Sequence, residues 1–345
     1  MLRALFLLVS LFTVYASESS FRGTTTDITS LLDENDEWKQ FSNFQERFGR
    51  KYENIQELEN RFQVFRTNLR NIVIHNLDHN QNFTMGINQF TDLTPAEFKA
   101  QYVTGIKGKV ESSGCGSFSS SASDAPSSID WRNKGAVTSV KDQGQCGSCW
   151  TFSATGAIEG AWAISKGQLI DLSEEQLVEC AGLKYGSFGC SGGEMDGAFK
   201  YVMEHGQCAL SSYPYTSGTG QSGSCKTSCS SVAHLSTCSD VKPNDQISLK
   251  GALAQQPVSI AISADTKLFQ SYSSGVITSS SCYTSLDHGV LAVGYGTENG
   301  VEYYLVKNSW GTSWGDNGYV KIGRSDSTND SGICGIAMQP SFPTV

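Results

Sequence analysis

Apolar residues in the first third of the chain recur at helical spacing. Four aromatic residues lie three or four positions apart and so share one face of a helix: Trp38, Phe41, Phe44 and Phe48. A second stripe with the same spacing follows them: Glu57, Arg61, Phe65, Asn68, Ile72 and Asn76. Thr94 to Glu97 combines a capping threonine, a proline at the first helical position and a glutamate at the third. The pattern predicts two helices and the start of a short third one.

Residues 111–124, with the sequence ESSGCGSFSSSASD, interrupt this pattern. The segment is rich in Ser and Gly and has no apolar periodicity, so we predict a linker that proteases can reach. The residues that follow suit one further compact domain in length.

The predicted elements of this second domain change from helices to strands along the chain. From Cys149 to Lys166 the sequence is apolar nearly all round, which is typical of a buried helix. Ser173 with Gln176 predicts a capping box for the next helix, and Glu194 to His205 predicts a third helix that a glycine ends.

After Pro257 the apolar runs become short and rich in β-branched residues: PVSIAIS, HGVLAVGYG, EYYLVKNSW and GYVKIG. Turn residues separate them, as between strands. Helices followed by strands predict an α+β domain of two packed subdomains.

Composition and charge restrict the expected partners. Hydrophobic residues make up 39% of the 345 residues, which is typical of a soluble globular protein. The net charge is −9, with 12 Lys and Arg against 15 Asp and Glu up to residue 124, and 13 against 19 after it. Neither part has the basic balance of a nucleic-acid-binding protein, and no basic amphipathic stretch indicates a membrane surface.

The first residues, MLRALFLLVSLFTVYASES, have the form of a secretory signal peptide. Arg3 precedes an apolar run, and Val14-Tyr15-Ala16 provides a small-x-small cleavage site. The run is too short to span a bilayer, so a membrane anchor is disfavoured. We therefore predict a signal peptide over residues 1–17, no membrane anchor after its removal, and an oxidising compartment in which disulfides persist.

The chain has eleven cysteines, with Cys115 in the linker and ten beyond it. Most cysteines of a secreted chain pair. If one of the ten is a reactive thiol, nine remain, so at least one further cysteine is either free or paired outside the domain.

Cys146 and Cys149 allow three interpretations. A thioredoxin-like redox pair needs a preceding strand in a βαβ unit, and no such pattern precedes it. A zinc site would draw on a second group with irregular spacing: Cys225, Cys229, His234 and Cys238. The third interpretation is a nucleophilic cysteine with a structural neighbour.

Several separate stretches carry a family resemblance. CGSCW is similar to the sequence around the catalytic cysteine of papain and the cathepsins, and His288 and Asn308 follow Cys149 by 139 and 159 residues. Further matching stretches are CSGG at 190–193, LDHGV at 286–290 and KNSWGTSWGDNGY at 307–319. The stripe from Glu57 to Asn76 resembles the ERFNIN motif of the pro-region. Four residues resemble its GxNxFxD motif: Gly86, Asn88, Phe90 and Asp92.

The chain therefore resembles a papain-family cysteine protease of the cathepsin L type, written as its full precursor. The resemblance implies an α+β, papain-like fold in which a helical subdomain and a β-barrel-like subdomain meet along a cleft. It also implies a signal peptide over residues 1–17, a helical inhibitory pro-domain with its linker over 18–124, and a mature peptidase domain over 125–345.

The resemblance implies roles for the site residues. Cys149 would be the nucleophile, His288 its proton-transfer partner, Asn308 the residue that orients the imidazole, and Gln143 an oxyanion donor. The substrate-binding positions would be Gly192, Gly193, Met195, Ala261, Leu286, Asp287, Gln339 and Trp310. Four of these positions would line the pocket for the side chain two residues before the cut; Met195, Ala261 and Leu286 are apolar, and Gln339 is polar. We therefore expect Leu, Phe or Val at that substrate position, although Gln339 and Glu194 could admit a polar group. No insertion separates Cys180 from Cys190, which favours an endopeptidase.

The resemblance also implies three disulfides: Cys146–Cys190, Cys180–Cys225 and Cys282–Cys334. We further expect Cys208 to pair with Cys229, although Cys225 and Cys229 could exchange partners. Cys238 would then be left over, and Cys115 would leave with the pro-segment.

No metal or cofactor is expected, and the expected partners are protein and peptide substrates and the chain's own pro-domain. We expect a monomer that enters the secretory pathway and is then vacuolar, lysosomal or secreted. Asn82 and Asn329 open glycosylation sequons. Two other functions stay open: a catalytically silent homologue, which would be expected to lose Cys149, His288 or Gln143, and a thiol oxidoreductase.

Overall fold

The computed structural model describes residues 33–106, 114–278 and 282–345, so the predicted signal peptide lies outside the described residues. The described chain forms a helical N-terminal unit, a helical layer and a large sheet, in that order. No helix in these ranges has the length and apolar character needed to cross a bilayer.

The N-terminal unit contains the three helices that the sequence predicts: α1 (Glu34–Phe48), α2 (Ile55–Leu77) and α3 (Pro95–Tyr102). The aromatic face of α1 packs on α2, with Phe41, Phe44 and Phe65 buried. The capping box of α3 is complete, because Thr94 Oγ1 accepts from Glu97 N and the Glu97 carboxylate accepts from Thr94 N.

The polar members of the α2 stripe hold the backbone of the loop before α3. Asn68 Nδ2 donates to the carbonyls of Thr91 and Leu93, both at 2.9 Å. Asn76 Nδ2 donates to Met85 O at 2.8 Å. The stripe is therefore more than a hydrophobic contact surface, because its amides fix the segment that meets the peptidase domain.

The second helical group forms one wall of the peptidase domain. It consists of α4 (Cys149–Lys166), α5 (Glu174–Cys180) and α6 (Met195–His205), at the predicted places. The capping box predicted for α5 is only half formed. Ser173 accepts from Gln176 N, but the Gln176 side chain donates to Tyr201 and Gly206 instead of reaching back to the N-cap.

Helix α4 is buried on nearly all sides and yet carries Glu159, which is 1% exposed. The Glu159 carboxylate accepts from Thr138 Oγ1 at 2.6 Å and from Leu172 N at 2.9 Å, and Lys141 Nζ lies 3.1 Å away. A buried carboxylate is tolerated only when it is paired in this way. The loops on both sides of α4 are thereby tied to the helix.

The strands of the described residues form one ten-stranded sheet and a separate hairpin. The strands of the sheet are β1 (Phe83–Met85), β2 (Gly116–Phe118), β3 (Ile129–Asp130), β6 (Thr237–Val241), β7 (Val258–Ile262), β8 (Tyr272–Ile277), β9 (His288–Glu298), β10 (Val301–Lys307), β11 (Tyr319–Gly323) and β12 (Ser341–Thr344). The hairpin is β4 (Gln207–Cys208) with β5 (Ser231–Ala233). Sequence analysis did not predict α7 (Gln246–Leu253) or α8 (Lys267–Ser271).

The sheet follows the order β1-β8-β11-β10-β9-β7-β12-β6-β2, and β3 adds to β9. Within the described ranges β1 and β2 are the two ends of this path and do not pair with each other. The barrel-like half that the resemblance implies is therefore an open sheet. Both end strands come from residues before 125, and the linker predicted over 111–124 in fact contains β2.

Five disulfides lie in the described residues. Four are the expected pairs: Cys146–Cys190, Cys180–Cys225, Cys208–Cys229 and Cys282–Cys334. The fifth joins Cys115 to Cys238, so the expectation that Cys238 is left over is wrong. The zinc interpretation is also wrong, because Cys225, Cys229 and Cys238 belong to three different disulfides.

Candidate active site

The first residue of α4 is Cys149, the free cysteine of the described chain, and it is fully buried. The N-cap residue Ser148 makes no side-chain capping bond, so no cap side chain competes for the first N–H groups of the helix. Cys149 Sγ accepts a hydrogen bond from Gly289 N at 3.2 Å. The sulfur therefore lies where the positive end of α4 meets the first residues of β9. Because Cys146 is bridged to Cys190, the redox-pair interpretation is wrong.

His288 and Asn308 come from neighbouring antiparallel strands. His288 is the first residue of β9, and Asn308 follows the last residue of β10. His288 Nε2 lies 2.8 Å from Asn308 Oδ1, which also accepts from Ser309 N at 2.8 Å. The backbone N–H identifies this Asn308 atom as the oxygen, so Nε2 carries the proton and donates. The other ring nitrogen, Nδ1, is buried with no hydrogen-bond partner.

Trp310 covers the imidazole. Its ring stacks on His288 with 4.6 Å between centroids and 25° between planes, and it is 1% exposed. Stacking fixes the ring plane and keeps water from the His288–Asn308 hydrogen bond.

Gln143 ties the loop before α4 to the strand side. Gln143 Oε1 accepts from Ser309 Oγ at 2.6 Å, and Nε2 donates to Cys146 O at 3.0 Å. The amide is fully buried, so its position is fixed. Sequence analysis missed Ser309, although it lies inside the quoted KNSWG stretch.

Burial sets the protonation states in the described structure. It raises the pKa of the Cys149 thiol to about 12 and lowers the pKa of His288 to about 4. The hydrogen bond from Gly289 N opposes the first shift and the one to Asn308 opposes the second. Both groups are therefore neutral near pH 7 while the site is covered.

The cover is the pro-segment after α3. Gly105 O accepts from Gly193 N at 2.9 Å, and Ile106 forms a parallel bridge with Gly193. A side chain at Gly105 would collide with Cys149, because its Cβ would lie 2.2 Å from Cys149 Sγ. Sequence analysis did not identify Gly105 or Ile106, since no local pattern reveals which residue of an extended segment crosses a cleft.

The other positions expected to bind substrate lie on several different elements. Met195 begins α6, and Ala261 lies in β7 opposite Gly289. Both belong to one buried hydrophobic cluster, and Leu286 packs against it. Gly192 has φ of 107°, which favours glycine. Asp287 Oδ1 accepts from Ala264 N at 2.8 Å, and burial raises the pKa of Asp287 to about 7.

Gln339 is half-buried, and its Oε1 accepts no hydrogen bond. Glu194, the N-cap residue of α6, is 4% exposed. The two residues that could alter the pocket's preference are therefore both largely withdrawn from water.

Comparisons with known proteins agree with this geometry. Residues 125–344 match the family model described as "Papain family cysteine protease", and residues 41–98 match the "Cathepsin propeptide inhibitor domain". The chain is 43% identical over 305 residues to a senescence-specific cysteine protease of rice, Oryza sativa subsp. japonica; the match covers 86% of this chain and 87% of that protein.

Two solved precursors have a similar fold over nearly their whole length. A recombinant stem bromelain precursor has a TM-score of 0.80 and 39% identity, over 90% of this chain and 99% of that one. Digestive procathepsin L 3 of Tenebrio molitor larval midgut has a TM-score of 0.81 and 39% identity, over 90% and 99%. The chain belongs to the papain family of cysteine proteases, and it is a protease precursor that carries a cathepsin-type inhibitory propeptide.

Proposed function

We propose that the protein is an endopeptidase that cleaves peptide bonds through Cys149 and His288 once its pro-domain is removed. The observation that carries this proposal is the position of Cys149 Sγ, at the start of α4 and against Gly289, the residue after His288. The His288–Asn308 hydrogen bond leaves Nδ1 as the ring nitrogen available to the sulfur.

The proposed reaction begins with a thiolate. After the pro-segment leaves, water and a bound substrate replace the apolar cover, so an ion pair of Cys149 thiolate and His288 imidazolium becomes accessible. The α4 N-terminus stabilises the anion. The thiolate attacks the peptide carbonyl, and His288 donates its proton to the leaving amine as the C–N bond breaks.

Hydrolysis of the thioester completes the cycle. His288 accepts a proton from water, whose oxygen attacks the thioester, and the C–S bond breaks to restore the thiolate. Gln143 Nε2 and the backbone N–H of Cys149 stabilise the oxyanion in both steps. Removing one such donor typically raises the barrier by about 3 kcal/mol. Asn308 keeps the imidazole in position, and Trp310 shields their hydrogen bond.

Inhibition of the precursor is proposed to rest on the path of the pro-segment through the cleft. Ile106 forms a parallel bridge with Gly193, and the segment passes over the sulfur of Cys149 at Gly105. Lys99 Nζ also pairs with Asp265 of the peptidase domain at 2.6 Å. The segment occupies the substrate's place and excludes water from Cys149.

The proposed preference for an apolar side chain two residues before the cut is supported by Ile106. Its side chain packs on the cluster that includes Met195 and Ala261, and its Cδ1 lies 3.3 Å from a Cβ placed on Gly289. An aliphatic pro-segment residue thus packs against side chains of the pocket expected to take Leu, Phe or Val.

Release of the pro-domain in acid requires a carboxylate whose negative charge stabilises the folded pro-domain. Asp92 does not fit, because burial raises its pKa and protonation is therefore favoured by the folded state. Glu97 fits better. Partial burial raises the pKa of Glu97, but hydrogen bonds from Thr94 and Arg61 outweigh this effect and lower the pKa below the ordinary 4.5. Its stabilisation is present above pH 4.5 and is lost as the pH falls through the lowered pKa.

The expected route through the secretory pathway is supported by the signal-like first residues and by five disulfides, which persist in oxidising compartments. We propose a vacuolar, lysosomal or secreted enzyme.

Alkylation by iodoacetamide tests the proposed nucleophile. In the intact precursor, a thiol with a pKa of about 12 is expected to react at least about a hundredfold more slowly at pH 7 than Cys149 of the processed enzyme. Peptide mapping should find the adduct on Cys149, and Cys149→Ser should abolish both adduct and turnover. Equal rates in the two forms, or turnover by the serine variant, would refute the proposed function.

Gly105→Ala tests the path of the pro-segment. The new methyl group would overlap Cys149 Sγ, and relieving such overpacking costs about 1–3 kcal/mol, so the intact precursor should gain at least about fivefold in basal turnover. Gly182→Ala is the matched control, because nothing lies within 4 Å of a Cβ there. Unchanged inhibition in Gly105→Ala would show that the segment does not cross the sulfur.

Glu97→Gln tests acid release. Removing the charge weakens the cap of α3 by about 1 kcal/mol, so the precursor should activate at a higher pH than the parent. Glu59→Gln, an exposed change of the same charge on α2, is the control. If Asp92→Asn shifts the activation pH and Glu97→Gln does not, the assignment to Glu97 is wrong.

A fluorogenic peptide library tests the pocket. Leu, Phe and Val two residues before the cut should give kcat/KM at least about tenfold above Arg or Glu. Gln339→Ala should widen the advantage of Phe, while Gln255→Ala, an exposed change of the same type, should not. A profile without apolar preference would remove this part of the proposal.

A further inference from the structure

The segment 114–126 lies on the peptidase domain and not on the helical pro-domain. The Cα atoms of Cys115 and Cys238 are 4.7 Å apart in their disulfide, within the usual range. Cys238 is fully buried inside β6. Residues 41–98 match the propeptide inhibitor family and the peptidase match begins at 125, so neither match includes residues 114–124.

Backbone pairing continues from the disulfide along the segment. Strand β2 pairs in parallel with β6, with Gly116 opposite Ser239 and Phe118 opposite Val241. Lys242 N donates to Phe118 O at 2.8 Å. The segment thus extends the peptidase sheet by one strand.

Side chains and later residues add to this attachment. The Phe118 ring meets Phe342 edge to face at 5.2 Å between centroids. Ser120 N donates to Ser248 Oγ at 3.1 Å, and Tyr295 OH donates to Pro126 O at 2.9 Å. The contacts reach β12, α7 and β9, so they are distributed over the whole stretch and not confined to the disulfide.

The pro-domain is attached elsewhere. Its strand β1 pairs with β8 at the opposite end of the sheet, and Gly105 and Ile106 lie in the cleft. Releasing the helices, β1 and the cleft segment therefore breaks none of the contacts made by residues 114–126.

We propose that residues 114–124 are not released with the pro-domain but stay on the mature enzyme as an additional edge strand, tethered by the Cys115–Cys238 disulfide. A cut before Cys115 leaves the segment as the start of the mature chain. A cut after it leaves a short peptide held by the disulfide. In both cases β6 keeps a neighbour and does not become an exposed edge, which would be open to pairing with other chains.

The inference rests on the proposed removal of the pro-domain. To distinguish a failure of this inference from a failure of the proposed function, turnover is measured in the same sample. A precursor that gains no activity in acid is cut with an added protease. Failure to gain activity counts against the proposed function, whereas the fate of residues 114–124 decides the tether.

The test is mass spectrometry of the full precursor after activation without reductant. Free thiols are alkylated, and one portion of the product is weighed before and after reduction. A second portion, kept unreduced, is digested with a protease that cuts at Leu235, between Cys229 and Cys238. The expected result is a peptide containing Cys115 joined to one containing Cys238. A product that lacks residues 114–124, with Cys238 alkylated, would overturn the proposal.

Two variants test the disulfide separately from the strand. Replacing both cysteines, Cys115→Ala with Cys238→Ala, creates no new unpaired thiol. Where the cut lies before Cys115, the disulfide closes a loop within one chain, and the double variant should lower the thermal midpoint of the processed enzyme by roughly 5–10 °C. Where the cut lies after Cys115, the double variant should lose the short peptide. Phe118→Ala removes the ring contact but should retain the segment, because the tether is intact. An unchanged midpoint in the first case, a retained peptide in the second, or loss of the segment in Phe118→Ala would contradict a covalent tether.

Discussion

The close approach of α4 to the sheet is the constraint on which the site depends. A Cβ on Gly156 would lie 2.6 Å from Leu291 Cδ2, and one on Gly160 would lie 2.6 Å from Pro257 Cγ. Without side chains at these two positions, the helix lies directly on the strands. The first residue of α4 therefore contacts Gly289. In the proposed mechanism, a helix held away from the strands by a methyl group would misplace the sulfur, and a misplacement of about 1 Å can cost about a hundredfold in rate.

In the proposed mechanism, the same burial that surrounds Cys149 and His288 also keeps them inactive in the precursor. With the pro-segment in the cleft, the thiol and the imidazole are desolvated and neutral, and no charge is available for attack. The steric cover at Gly105 and the desolvation of the two groups have one cause, the presence of the pro-segment in the cleft. Removing the segment would therefore restore both access and reactivity in one step.

The chain before residue 125 performs two structural tasks at opposite ends of one sheet. Strand β1 and the cleft segment accompany the inhibitory helices, while β2 and Cys115 join the peptidase domain. A domain boundary predicted from composition alone assigns both segments to the pro-domain, because a Ser- and Gly-rich stretch resembles a linker whether or not it pairs with a strand.

The sequence by itself determined most of the helices and indicated the residues of the candidate site. Helix α1 followed from its aromatic face, α3 from its capping box, and Cys149, His288 and Asn308 from motifs whose residue types the reaction requires. Counting cysteines also established that one of them is free or paired outside the domain. Only the tertiary structure decided that Cys238 pairs with Cys115, that Gly105 covers the sulfur, and that the Gln176 side chain turns away from its helix cap. These three outcomes depend on contacts between residues far apart in the chain, and a local pattern carries no information about which distant partner will be nearest.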